Sequence, residues 1–293
     1  MMNNKISIVI ATKSYNKNLH KTIDSINKQN YLPKEIIIVS NKKISQKLNL
    51  NWKIKLKKYT SKIKNQVYQR NIGLKNISKN TDLILQLDDR ILLNKKCLYE
   101  LNAFWKKTDQ SVIGVGLNQI NKFKDRGLLN KLFYGLNLKG KVLSNGINVD
   151  YSNLKEDIEV MWLKGGLSSW KINKNKNIKN RKYPLQKWSV FEDVEYSLKK
   201  NNIGKLLVSY KSKAKVIERN RGFKLNELVY RGSIYTYSQK KIVKNYFKSM
   251  TFFYLTIPFL VFFSLIISVF TLNFSKIIYN YGRLVGFFKI DFN

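Results

Sequence analysis

The chain has 293 residues, with 55 Lys or Arg against 18 Asp or Glu and a formal net charge of +37. One cysteine, Cys97, and one histidine, His20, exclude an internal disulfide and a His-rich metal centre, and argue against a Ser-His-Asp arrangement. So large a charge suits a nucleic acid, an anionic membrane surface or a phosphorylated substrate, yet the lysines are spread throughout and form no dense basic arm.

Lys5–Ile10 suits a buried strand, closed by Ala11 and Thr12, and is too short for the apolar part of a signal peptide. Asn18–Asn30 carries Leu19, Ile23 and Ile26 at helical spacing, with Pro33 at its exit. Glu35–Val39 is a second buried strand ending in Ser40 and Asn41. Trp52–Leu56 alternates like a half-exposed strand, and Gln66–Ile77 reads as a helix. The next run, Thr81–Leu87, stops abruptly at Asp88, Asp89 and Arg90. In a parallel sheet ligands bind just beyond strand carboxyl ends, where these acids would sit. Adjacent carboxylates repel unless a cation or a donor-rich ligand neutralises them. A solvated turn is the plainer alternative.

Further on, Cys97–Lys107 reads as a helix, Val112–Leu117 as a strand and Asn118–Asp150 as an irregular excursion. Glu159–Leu163 reads as a strand running into Lys164, Gly165 and Gly166, followed by a basic loop over Asn173–Lys182. A helix opens at Phe191, carries Glu192 and Asp193 in its first turn and ends near Gly204. Lys205–Ser209 and Ala214–Ile217 are short closing strands. This alternation predicts an α/β sheet with a crevice along one edge.

Taken in order, Ala11-Thr12, Glu35–Asn41, Arg70-Asn71-Ile72-Gly73, Leu87-Asp88-Asp89, Trp162-Leu163-Lys164-Gly165-Gly166 and Glu192-Asp193-Val194-Glu195 resemble glycosyltransferase family 2. The resemblance covers roughly residues 5–220. It implies an inverting enzyme on the GT-A fold, a single α/β domain with a mixed central sheet, using a nucleotide-sugar donor. It makes Asp193 the catalytic base and places Ala11, Thr12, Ser40, Arg70, Asp88, Asp89 and Arg90 near the nucleotide sugar. Trp162, Gly165, Gly166 and Glu192 fall near the acceptor or the donor sugar. Such chemistry needs groups that stabilise a departing diphosphate and a base beside the attacking hydroxyl. Each residue also has an ordinary reading: Asp193 as a helix N-terminal acid, Trp162 as core, Arg70 as an exposed helix arginine and the glycines as a tight turn.

Three positions depart from the family pattern. Arg90 replaces the third residue of the usual Asp-x-Asp metal motif, Ser40 replaces an acid, and Val216-Ile217-Glu218-Arg219-Asn220 lacks a histidine. Either a divalent ion (Mg2+ or Mn2+) sits on Asp88 and Asp89, or the Arg90 charge stands in for it.

The chain beyond residue 220 divides into a basic-aromatic segment over 221–248, an apolar segment over 249–275 and an amphipathic tail over 276–293. Ser249–Ser275 has no charged residue and is long enough to span about 30 Å of hydrocarbon, with Pro258 as a kink. A single crossing and a re-entrant helix both fit. Arg219, Arg221, Lys240, Lys244 and Lys248, mixed with Tyr235, Tyr237 and Tyr246, suit an anionic cytoplasmic face and place the catalytic domain in the cytoplasm. The acceptor expected there is a lipid-linked glycan or a polyprenyl phosphate, in surface polysaccharide or glycolipid synthesis. A basic nucleic-acid-binding protein and a non-catalytic scaffold are the readings from other classes; the adjoining apolar segment favours a membrane over nucleic acid.

Overall fold

The computed structural model describes residues 4–45, 48, 51, 53–121, 136–172, 189–217 and 222–289. The chain forms two compact units: Met1–Lys141 with Asp150–Glu218, and Val142–Val149 with Arg219–Asn293.

The first unit is built on a sheet with nine strands among the described residues. In chain order its elements are β1 (Ile6–Thr12), α1 (Lys17–Asn27), β2 (Glu35–Ser40), β3 (Lys55–Thr60), α2 (Gln66–Lys75), β4 (Leu83–Asp88), β5 (Ile91–Leu93), α3 (Cys97–Lys107), β6 (Val112–Gln119), β7 (Ile158–Glu159), β8 (Leu167–Lys171), α4 (Glu192–Asn201) and β9 (Lys205–Val216). The order across the sheet is β3-β2-β1-β4-β8-β6-β9-β5, with β7 on β9. The four strands from β3 to β4 are parallel, and β8 runs against both β4 and β6. The sheet is therefore mixed. β1, β2 and β4 are buried on both faces, which explains their unbroken Ile, Val and Leu runs. Edge strand β3 instead carries Lys55, Lys57 and Lys58, charges that discourage pairing with another chain. Asn16 caps α1 by accepting from Asn18 and Leu19 N–H groups, and Asn65 caps α2 in the same way through Val67 and Tyr68.

Several elements differ from the sequence expectation. The third strand lies at Lys55–Thr60, because pairing with the six residues of β2 sets its extent; Trp52 lies outside the described residues. Strand structure in the Glu159–Leu163 stretch stops at Glu159, and Trp162 and Leu163 turn into the core. Leu167–Lys171, to which the sequence assigned no element, is a central strand whose Ser168 and Ser169 are fully buried. The two closing strands are one, β9, with an irregularity in its pairing to β6 that accounts for the weakened pattern. Part of the excursion (122–135), the basic loop over Asn173–Lys182 and Glu218-Arg219-Asn220 lie outside the described residues.

The second unit contains helices α5 (Leu225–Tyr246), α6 (Thr251–Phe270) and α7 (Phe274–Phe288). Val142–Val149 belongs here as well, and Gln239 of α5 donates to the Asn145 carbonyl at 3.0 Å. Helix α6 is long and apolar enough to cross a membrane, with a mean hydropathy of 2.3 over its most apolar window, only 22% of which is buried. Helix α5 was hidden in the basic-aromatic stretch because its buried positions mix Gly232, Ser233, Thr236, Ser238 and Gln239 with Leu228, Ile234, Tyr237, Ile242 and Val243, which breaks up the apolar stripe.

Candidate active site

Parallel pairing brings the carboxyl ends of three strands together. Thr12 lies opposite Ser40, and Ala11 opposite Asp88. Ala11, Thr12 and Ser40 are buried there, and the Ser40 hydroxyl turns back to the Lys42 carbonyl at 2.5 Å. Gln69 of α2 ties two of these ends by donating to the Thr12 carbonyl at 2.7 Å and the Val39 carbonyl at 3.3 Å.

Asp88 and Asp89 have different surroundings. Asp89 accepts from the Thr12 hydroxyl at 2.6 Å and from the Asn16 amide at 3.3 Å, so it clips the turn after β1 to the end of β4. Asp88 accepts at Oδ1 from Gln66 Nε2 at 2.5 Å and from Arg70 Nη2 at 2.8 Å. The other end of the Arg70 guanidinium, Nη1, donates to Glu192 Oε1 in the first turn of α4. Arg70 is only 2% exposed. A buried guanidinium thus bridges the acid of β4 and the acid beside Asp193, which answers the like-charge problem posed by so many carboxylates.

The loop of Gly165 and Gly166 passes between them. Gly165 N–H donates to Asp193 Oδ2 at 3.1 Å, and the Gly166 carbonyl accepts from Asp88 N–H at 3.2 Å. A Cβ on Gly166 would lie 2.4 Å from Asp88 Cγ, and one on Gly165 would lie 2.8 Å from Arg70 Nη1. Close approach, not a left-handed backbone, demands glycine here. From its other side the loop is held by Lys164, whose Nζ meets Asp150 at 2.8 Å, Ser152 at 2.7 Å and Gln119 at 3.0 Å. Lys164 N–H donates to the Tyr151 hydroxyl at 2.5 Å.

Asp193 stands in the first turn of α4, and Val194 N–H donates to its Oδ1 at 3.0 Å. The helix is entered through Phe191, held at φ 61°, a conformation that bulky residues adopt only under constraint. Burial pushes the Asp193 carboxyl up to about 6, and the Glu192 charge adds to this, against the opposing pull of Gly165 N–H, Arg70 and Val194 N–H. A carboxylate poised near neutrality can accept a proton from an alcohol.

Thr12, Arg70, Asp88, Asp89, Gly165, Gly166, Glu192 and Asp193 therefore share one edge of the sheet. Two of the expected residues stand apart. Arg90 directs its guanidinium to the Ile217 carbonyl at 3.5 Å, so the cation that meets Asp88 is Arg70. Trp162 is 5% exposed and packs edge-on to Tyr151 with ring centroids 5.2 Å apart, as a core residue does. Gln66, Gln69 and Asn16 escaped sequence reasoning, and Lys164 entered it only as part of the glycine motif. One signal was present: Gln66, Gln69 and Arg70 fall on one face of a helix, at i, i+3 and i+4.

Among the described residues, no three His, Cys, Asp or Glu side chains converge as a metal cage would require. A partial donor set is nevertheless present. The side chain of Asp88 is 27% exposed, and both of its donors take Oδ1, leaving Oδ2 as a carboxylate ligand of the kind Mg2+ or Mn2+ combines with substrate phosphates and water.

A family model described as Glycosyl transferase family 2 matches residues 7–162, more than half of the chain. The fold is similar to that in the crystal structure of GalNAc-T7 with UDP, GalNAc and Mn2+, with TM-score 0.54 and 18% identity over 76% of this chain and 44% of that one. It is also similar to that of S. aureus TarS, with TM-score 0.52 and 16% identity over 88% of this chain and 43% of that one. The chain thus spans less than half the length of either, and at these identities the likeness speaks for the fold. No curated protein matches the chain. Motif order, sheet topology and family match together identify the chain as a member of glycosyl transferase family 2, on the GT-A fold.

Proposed function

We propose that this enzyme transfers a sugar from a nucleotide-sugar donor to an acceptor hydroxyl with inversion, and that Asp193 is the base. The observation that carries this reading is the Asp88–Arg70–Glu192 bridge, with Asp193 bonded to the intervening glycine loop. Asp88 marks the diphosphate end of the site, at the strand ends, and Asp193 the acceptor end. Between these ends Gly165 and Gly166 bring the loop backbone against Arg70 and Asp88, beside the position proposed for the sugar. Asp193 takes the proton as the hydroxyl oxygen bonds to the anomeric carbon and the nucleoside diphosphate leaves from the opposite face. The presence of UDP and Mn2+ with GalNAc-T7 supports a nucleotide-linked donor and a divalent ion. Such an ion, held by Asp88 and the diphosphate, would supply charge stabilisation to the leaving group.

Arg70 has a different role from the diphosphate contact expected of it. It is enclosed and engaged at both ends by carboxylates, so it sets the spacing of Asp88 and Glu192. Helix α6 and the basic residues around it support an acceptor at a membrane: a lipid-linked glycan hydroxyl, or alternatively a polyprenyl phosphate, whose own ionised oxygen would need no base, at the cytoplasmic face, in assembly of a surface polysaccharide or glycolipid. The test is release of nucleoside diphosphate from a panel of nucleotide sugars supplied with membrane extract. The parent should show lipid-dependent release with one donor; release that ignores extracted lipid would remove the lipid acceptor.

A further inference from the structure

Hydropathy alone would stand α6 upright, since its 20 residues match the thickness of a bilayer. The packing of its own unit points elsewhere. A Cβ on Gly282 would lie 2.2 Å from the Val229 carbonyl oxygen, and one on Gly286 would lie 2.1 Å from that of Ser233, so the α5 and α7 backbones touch. Farther along, Lys240 Nζ reaches the Phe287 carbonyl at 3.5 Å. The residue numbers rise together, and α5 therefore runs parallel to α7 along nearly all of it. Helix α6 returns against α7: Asn280 Nδ2 donates to Ser264 Oγ at 2.9 Å, and Phe253 stacks on Phe287 with centroids 5.6 Å apart.

An upright α6 would thus carry α7 and α5 into the hydrocarbon at matching depth. Helix α5 carries Glu227 and Arg231 within that span, with Lys240, Lys241 and Lys244 at its rim near the start of α6, and α7 contains Arg283 at a level near the middle of α6, its guanidinium 5.5 Å from the Tyr235 ring centre. Charges at bilayer mid-depth are strongly disfavoured. The exposed apolar surface lies instead along one side of the unit, on Leu255, Phe259, Phe262 and Phe270 of α6 and on Val285 and Phe288 of α7. Lys248, Lys276 and Lys289 flank it, and Lys241 and Lys289 stand over the Tyr237 ring at 4.9 and 5.5 Å.

We propose that α6 lies in the plane of an anionic bilayer rather than crossing it, with α6 and the outer side of α7 sunk into the interface and α5 turned away from the lipid. This rests on the membrane reading above and refines it. Basic flanks beside an apolar surface are what an anionic lipid headgroup layer attracts.

The test uses the full chain in a Cys97→Ala background, reconstituted from detergent into phosphatidylcholine vesicles with and without phosphatidylglycerol. A fluorescent label is placed on Leu255→Cys, Phe263→Cys or Phe270→Cys, and its depth is read by quenching with lipids brominated at shallow or deep acyl positions. These side chains are well exposed, and Phe259→Cys and Phe262→Cys form a second set should one variant fold poorly. The expected result is binding that strengthens with phosphatidylglycerol and one shallow depth at all positions. A deep label at 263 between shallower ones would show a crossing, and a steady gradient would show a re-entrant helix; either overturns the in-plane assignment and leaves the membrane reading standing. Failure to associate with any vesicle overturns both.

Discussion

At Asp193 burial and the Glu192 charge favour the protonated acid, whereas Gly165 N–H, Arg70 and Val194 N–H favour the carboxylate. In the proposed role of base it works only when ionised, so the rate should fall about tenfold per pH unit as pH drops below about 6. The stability effect has the opposite sense. Because the folded carboxyl titrates above its unfolded value of 3.8, the folded state holds the extra proton between those limits, and stability declines as pH rises through that window. Asp193→Asn should therefore melt at or above the parent temperature at pH 8, with the difference shrinking towards pH 5. Arg70 gives a second prediction. Arg70→Met strands the Asp88 and Glu192 carboxylates and should cost about 3–5 kcal/mol in urea unfolding. Arg70→Lys, which keeps the charge but loses the fork, should retain more stability and shift the acid limb of the pH–rate profile upward, because less of the pull that lowers the Asp193 pKa survives.

The elements position these residues by close contact of backbone. Gly166→Ala would drive a methyl into the Asp88 carboxylate and should lower turnover at least a hundredfold in a protein that still melts cooperatively. In the second unit Gly286→Leu sets a side chain against the Ser233 carbonyl and should cost about 1–3 kcal/mol, read as earlier proteolysis between α5 and α7. The same scale shows what could be read from residues alone. β1, β2 and β4 were legible because burial on both faces makes them continuous apolar runs, and their ends located Thr12, Ser40 and Asp88. β8 was not, because its buried positions hold Ser168 and Ser169, which hydrogen-bond to tryptophan rings instead of forming an apolar run. Asp193 and the glycines were legible through motif order. Arg70 was singled out for a diphosphate, and its pairing with Asp88 and Glu192 is set by the fold; Arg90 was set beside Asp88 by adjacency in sequence, although a turn aims successive side chains in different directions.

For the whole molecule the large positive charge and the apolar α6 support one proposal, a sugar transferase held against anionic lipid. Association with anionic vesicles should weaken as salt is raised from 0.05 to 0.5 M while a residual apolar component persists, a mixed dependence that purely electrostatic binding would not show. Excess chelator should lower turnover without unfolding the protein if Asp88 Oδ2 completes a metal site; full activity would assign leaving-group stabilisation to the protein's own cations. The central claim is that Asp193 deprotonates the acceptor in a site that binds the donor through other residues. Its most direct measurement compares parent and Asp193→Asn for thermal stabilisation by nucleotide sugar and for nucleoside diphosphate release in the presence of acceptor. The account predicts equal stabilisation of the two, with release from the variant reduced by about 10²–10⁴; release from Asp193→Asn at the parent rate would contradict it.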